Sequence, residues 1–165
     1  MIPWMVELDG RARPTVVGWK EYLALPELGI GRLKAKVDTG ARTSTLHVAA
    51  LSTLAEHPDG TAELEISLLL DRSNRRHRSR PERATTARAL MLRRVTVTDS
   101  GGHREVRPLI ATELVLGPVR KRIFLTLTDR SGMLFRMILG RKALEGDFLV
   151  DVSQKYLLGN STREL

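Results

Sequence analysis

Asp38 is the residue whose type and setting carry the most chemistry in this 165-residue chain. The alternating apolar residues Leu33, Ala35 and Val37 deliver its carboxylate onto Thr39, Gly40 and Ala41. Asp-Thr-Gly is also a good turn, since Asp bonds its own backbone and Gly tolerates unusual dihedrals. The flanks favour the chemical reading. An apolar strand leads in, and Thr43-Ser44-Thr45-Leu46 resumes β-favouring residues after it. Two carboxylates held close together share one proton, because two like charges at that range cannot both ionise cheaply. The ionised member takes a proton from water, the protonated member donates to a carbonyl oxygen, and the two titrate as a unit. The chain holds a single Asp-Thr-Gly. Such a pair therefore needs two copies, with a two-fold axis between their Asp38 side chains. A second signal lies far downstream, where Met137-Ile138-Leu139 runs into Gly140-Arg141.

The elements that must position these residues read as strands. Few stretches keep a helical period, whereas many short runs alternate with period two. Leu33 to Val37 is one such run. Ala62, Leu64, Ile66, Leu68 and Leu70 form another, with Glu63, Glu65 and Ser67 between them. Val95 and Val97 belong to a strand that turns at Asp99-Ser100-Gly101-Gly102 into Glu105 to Ile110, a hairpin. Leu114 to Leu116 and Ile123 to Leu127 make a further pair about Gly117-Pro118. Leu134 to Leu139 and Phe148 to Val152 are the last two strands, with a turn at Asp129 to Gly132 before them. Short helices are expected at Ala49 to Glu56 and Lys142 to Glu145. Ser73 to Thr86 reads as a long loop, and Gly159 to Leu165 as a loose tail. Several short strands separated by turns indicate an all-β barrel or sandwich. The length suits one domain, residues 1–165, with a real core.

Composition excludes several chemistries. There is no cysteine, hence no disulfide, thiolate catalysis or cysteine zinc site. No apolar run is long enough for a membrane span, and Met1 to Val6 lacks the basic flank of a signal peptide. A cytoplasmic protein is the expectation. The histidines, His47, His57, His77 and His103, lack ligand spacing, and neither His-Glu-x-x-His nor a glycine-rich phosphate loop is present. No zinc, ATP or other cofactor is expected. The net charge of +8 is concentrated: Asp71 to Arg94 holds nine arginines and two acids. The rest is a near-neutral domain, which argues against nucleic acid as the main partner.

An Asp-Thr-Gly strand end followed by an apolar-apolar-Gly-Arg resembles the retroviral-type aspartic proteases. A longer set of residues resembles a bacterial retropepsin-like family long labelled an "ATP-dependent zinc protease". These are Val17 to Glu21, Leu25 to Ile30, Ala35 to His47, Leu127 to Arg130, Met133, Phe135 to Leu144 and Phe148 to Ser153. The resemblance spans roughly Val16 to Gly159. It implies an acid-protease closed β-barrel and an aspartic endopeptidase that works as a homodimer on a peptide or protein substrate. Asp38, Thr39 and Gly40 would form the catalytic loop, supported by the apolar loop Ile138-Leu139-Gly140. Ala41, Arg42, Ile138, Leu139, Gly140 and Arg141 would line the substrate site. The family also has an association with ATP-grasp ligases that add glutamates to a ribosomal protein.

One departure stands out. Retroviral enzymes place an acid after Asp-Thr-Gly-Ala, and it pairs with the arginine of Gly-Arg. Here that position is Arg42. Arg141 then needs another partner, and Asp147, Asp151 and Glu145 are the candidates. Arg42 either makes an ordinary ion pair or receives a substrate carboxylate in a bidentate fork, which would favour acidic or glutamate-rich peptides. The basic segment 71–94 has three readings: a solvated mobile loop, a flap that closes on substrate, or a surface for RNA or the ribosome. The last lacks aromatic residues for stacking between Asp71 and Arg94. A non-catalytic, peptide-binding scaffold dimer is the competing function. Trp4, Trp19 and Tyr22 would serve its interface or the core.

Overall fold

The computed structural model describes residues 13–70, 84–129 and 132–159. Eleven strands and two very short helices follow in order: β1 (Thr15–Gly18), β2 (Lys20–Leu25), a 3-10 turn (Pro26–Leu28), β3 (Ile30–Asp38), β4 (Ser44–His47), β5 (Ala50–Glu56), β6 (Ala62–Leu69), β7 (Ala84–Thr98), β8 (Arg104–Leu116), β9 (Val119–Thr128), β10 (Met137–Gly140), α1 (Arg141–Leu144) and β11 (Phe148–Asp151). The all-β expectation holds.

Period-two patterning sets the layout. In β3 the residues Leu33, Ala35 and Val37 are buried and the residues between them are not. In β6 the buried set is Ala62, Leu64, Ile66 and Leu68. β2, β3, β10, β4, β9 and β8 are joined in that order, and a single Ala24–Val115 pairing of β2 with β8 closes the ring. The expected closed barrel is thus a six-strand ring with one thin seam. β7, β6 and β5 extend the sheet beyond β8. Leu23, Leu25, Leu33, Leu46, Leu114, Leu125, Met137 and Leu139 fill one apolar core with the inner face of β6. Full burial of a Leu-sized side chain contributes roughly 1.5–3 kcal/mol.

A separate parallel pair, β1 with β11, runs Thr15 beside Phe148 through Gly18 beside Asp151. Buried Glu21 ties this corner to the C-terminal segment. Its Oε1 accepts from the amides of Gly18 (2.7 Å) and Leu157 (2.8 Å).

Two expectations are corrected. Ala49 to Glu56 is no helix: residues 50–56 form β5, paired antiparallel with β6. Ala, Leu and Glu favour helices locally, but the open edge of β6 offers a ladder that outweighs propensity. The basic loop or flap expected over 71–94 is also revised. Ala84 to Arg94 lies inside β7, the longest strand, so this part is not a loop. Thr85, Ala87 and Ala89 pair with Leu68, Ile66 and Leu64 of β6, while Arg88, Arg93 and Arg94 face outward. Residues 71–83, with Trp4 and the 160–165 tail, lie outside the described residues. The Leu134 to Leu139 strand is shorter than expected and begins at Met137.

Glu105 anchors the start of β8. The Thr128 hydroxyl donates to its Oε1 (2.7 Å), and Arg107 binds its Oε2 (2.7 Å). The hydroxyl first, then the guanidinium, hold its carboxyl below the usual value of 4.5. The folded state therefore binds this proton more weakly than the unfolded chain. The stabilisation is present above the unfolded value and lost as pH falls through the lowered folded one. Glu105 is partly exposed, so the contribution is below about 1 kcal/mol. Thermal melts from neutral pH to below 4 should show Glu105→Gln with a flatter acid limb. An unchanged limb would refute the assignment.

Candidate functional site

β10 is inserted between β3 and β4. It runs parallel to β3, with Met137 beside Ala35, Leu139 beside Val37 and Gly140 beside Asp38. It runs antiparallel to β4, with Met137 beside Leu46. The distant Gly140-Arg141 is thereby set against the Asp-Thr-Gly loop. Glycine is required there by space. A Cβ at Gly140 would stand 2.8 Å from the Thr43 carbonyl carbon, 2.9 Å from the Thr43 oxygen and 3.0 Å from the Ala41 oxygen. The Gly140 amide donates to the Ser44 Oγ (3.0 Å). Ser44 had no role in the sequence reading; only its position four residues beyond Gly40 hints at one.

Asp38 closes β3, half-buried, with its Oδ1 accepting from the amides of Gly40 (3.0 Å) and Ala41 (3.3 Å). These bonds fix the carboxylate and close a tight loop, so the turn reading and the chemical reading describe one geometry. No second acid among the described residues hydrogen-bonds to Asp38. One chain offers one carboxylate.

Arg141 was expected to find Asp147, Asp151 or Glu145, and it pairs with none of them. Its guanidinium donates to the carbonyls of Thr39 and Gly40 (both 3.1 Å). The three acids have other partners: Lys121 takes Asp147, Ser153 takes Asp151, and Lys142 takes Glu145 (2.8 Å). The helix start adds to this clamp, since the amides of Arg141 and Lys142 donate to the carbonyls of Ala41 (2.8 Å) and Arg42 (3.1 Å). An arginine suits this task because a single guanidinium nitrogen, Nη1, carries two N–H donors and reaches both carbonyls.

A cavity of about 540 Å³ adjoins this loop, lined by Thr39, Arg42, Arg141, Lys142, Leu144, Glu145, Phe148 and Val150. Asp38 does not line it; Thr39 joins the two features. Leu144, Phe148 and Val150 give it an apolar side, and three cations face one acid. The Glu145 carboxyl lies below the usual 4.5, chiefly through the Lys142 hydrogen bond. Arg42 is exposed and ion-pairs with none of the described residues, so the ordinary-ion-pair reading of it is not met. Of the expected substrate-site residues, Arg42 and Arg141 reach the cavity. Ala41 and Gly140 build the loop, and Ile138 and Leu139 support it from β10. Lys142, Leu144, Phe148 and Val150 were missed, because only the fold brings β11 under α1.

Residues 16–161 match the family described as RimB-like, retropepsin-like aspartic endopeptidase RimB. The chain belongs to the RimB-like family. Among curated proteins it is 33% identical over 151 residues to a probable alpha-L-glutamate ligase of Desulfotalea psychrophila, covering 90% of this chain and 30% of that one. Similar proteins of the same name come from Shewanella pealeana (33%, 87% of this chain) and Parasynechococcus marenigrum (36%, 90% of this chain). The chain spans 30% of the length of these relatives. A crystal structure of a Legionella pneumophila protein of unknown function shares the fold, with a TM-score of 0.67 at 20% identity over 88% of this chain and 99% of that one.

These relatives are enzymes by name, and their names correct one expectation. The chain was read as an aspartic endopeptidase acting as a homodimer. Curated relatives matching nearly all of it are named for glutamate ligation instead. The RimB-like chain keeps the retropepsin-like loop, while its named relatives point to another reaction. Among the described residues, no helix is long and apolar enough to cross a membrane, and no group of three or more His, Asp or Glu gathers as a metal site.

Two substitutions test this construction. Gly140→Ala should push β10 off Thr43 and destabilise the fold by about 1–3 kcal/mol in denaturant melts; a neutral outcome would mean the loop tolerates more room than its packing allows. Arg141→Gln should cost about 1 kcal/mol and speed amide exchange at Gly40 and Ala41. Unchanged exchange would show that the guanidinium does not hold the loop.

Proposed function

We propose that this domain holds glutamate-bearing peptides as one part of a glutamate-ligation system. The observation that carries the reading is Arg42. Its guanidinium is exposed beside an apolar-sided cavity, with Arg141 and Lys142 close by and Glu145 already engaged by Lys142. A guanidinium binds a carboxylate in two parallel hydrogen bonds, and the aliphatic part of a glutamate side chain suits Leu144, Phe148 and Val150. The names of the curated relatives support glutamate as the residue recognised. The chain's share of their length supports a contributing domain rather than the complete ligase.

The test is calorimetric titration of an α-glutamyl dipeptide and its glutaminyl counterpart. The glutamyl compound should bind at least about tenfold more tightly, a difference of about 1.4 kcal/mol. Arg42→Gln should remove that preference without lowering the melting temperature. Equal binding of the two compounds would overturn the reading. Release of free glutamate during titration, abolished by Asp38→Asn, would replace holding by hydrolysis at the same loop.

A further inference from the structure

β3 carries a second chemical pattern on the face opposite the core. Leu33, Ala35 and Val37 point inward, so Arg32, Lys34, Lys36 and Asp38 share the other face. Two residues of strand advance about 7 Å, so the row places a cation at each such step and ends at the Asp38 carboxylate. β2 widens the row, since Lys20 lies directly opposite Lys36 and Tyr22 opposite Lys34.

Directly opposed like charges destabilise a strand pair, and among the described residues no acid pairs with them. Lys20, Lys34 and Lys36 form no ion pair with any described residue. Aromatic rings hold two of them instead. The Lys20 Nζ is 4.4 Å from the Trp19 ring centre and 5.2 Å from that of Tyr156. The Lys34 Nζ lies 5.9 and 6.0 Å from the rings of Tyr22 and Tyr156. A cation at this range is attracted by the ring face while it keeps its hydrogen-bond donors free. The ammonium groups are thereby positioned without being neutralised.

We propose that this row is a track for the acidic stretch of the peptide whose end is held in the Arg42 cavity beside the Asp38 loop. The inference rests on the glutamate reading of the cavity given above and extends it to a run of successive glutamates. An extended peptide repeats its same-side residues at the same interval of about 7 Å, so alternate glutamates meet Lys34 and Lys36 in turn. The sign change at Asp38 disfavours a further side-chain carboxylate there. A single-stranded nucleic acid is the rival polyanion, and the rings argue against it. Tyr22 is stacked on Tyr156 (centroids 4.9 Å apart), and the Arg32 guanidinium covers it at 3.8 Å. A base seeking a stacking platform finds both of its faces occupied.

The experiment measures anisotropy of labelled oligo-α-L-glutamate on the full chain, beside the glutamyl dipeptide, oligoglutamine and oligouridylate. The double variant Lys34→Gln/Lys36→Gln should weaken oligoglutamate binding about tenfold. Its salt dependence should flatten, and dipeptide binding should stay unchanged. The double arginine variant at the same positions should keep the affinity. Oligoglutamate binding unaffected by the glutamine variant would overturn the track and leave the cavity reading standing. A lost dipeptide signal with oligomer binding still sensitive to Lys34 and Lys36 would uphold the track and remove the cavity reading. Tighter binding of oligouridylate than of oligoglutamate, or binding of neither, would overturn the track.

Discussion

The insertion of β10 between β3 and β4 is the constraint on which the site depends. Three backbones must lie edge to edge while the last residue of β10 meets the chain just beyond β3. A Cβ on that residue would stand 2.8 Å from the Thr43 carbonyl carbon, so only glycine fits. Once Gly140 is seated, the rest follows by proximity. Its amide finds Ser44, the next two amides find the carbonyls of Ala41 and Arg42, and the Arg141 side chain folds back onto Thr39 and Gly40. Residues about one hundred positions apart then share one hydrogen-bond network, and the orientation of the Asp38 carboxylate is set by packing rather than by the loop alone.

The same arrangement explains the fate of the cations after Asp-Thr-Gly. The position that follows Ala41 holds arginine, and Arg141 pairs with no acid among the described residues and donates to carbonyl oxygens instead. A guanidinium bound to two carbonyls keeps its charge, whereas one paired with a carboxylate is neutralised. The loop therefore carries the positive charge of both Arg42 and Arg141 outward. Lys142 is compensated by Glu145. The field next to Asp38 is set by this substitution of a backbone partner for an acidic one.

Much of the fold was legible because buried positions recur every second residue. Leu33, Ala35 and Val37, and again Leu64, Ile66 and Leu68, announce both strand and facing. Asp38, Gly140 and Arg141 were legible as a set because their residue types suit a carboxylate loop and its support. β7 was obscured by composition. Its outward arginines look like a solvated loop, while its inward residues are the small Thr85, Ala87 and Ala89, which give little apolar contrast. β5 was obscured by propensity, since its residues favour a helix and only the waiting edge of β6 makes them a strand. The Arg141 partners and the β11 side of the cavity depend on contacts between distant segments, which no local pattern encodes.

Pairing divides the cations into two groups. Arg107, Arg120, Lys121, Arg122 and Lys142 each meet an acid, and several of those pairs join separate elements, as Arg122 does with Glu27 across β9 and the 3-10 turn. These pairs are exposed or partly so, and each contributes little stability, but together they leave no net charge where they stand. Lys20, Lys34 and Lys36 are different. They sit on a strand face that could have accepted acids at no cost to the core, since their side chains face away from it. Stacked tyrosines and Trp19 hold the ammonium groups of Lys20 and Lys34 in place without cancelling them. A fold optimised for stability alone would alternate the signs there. Uncompensated charge of one sign, fixed in position and leading toward a carboxylate loop, makes sense as a field directed at an anionic ligand.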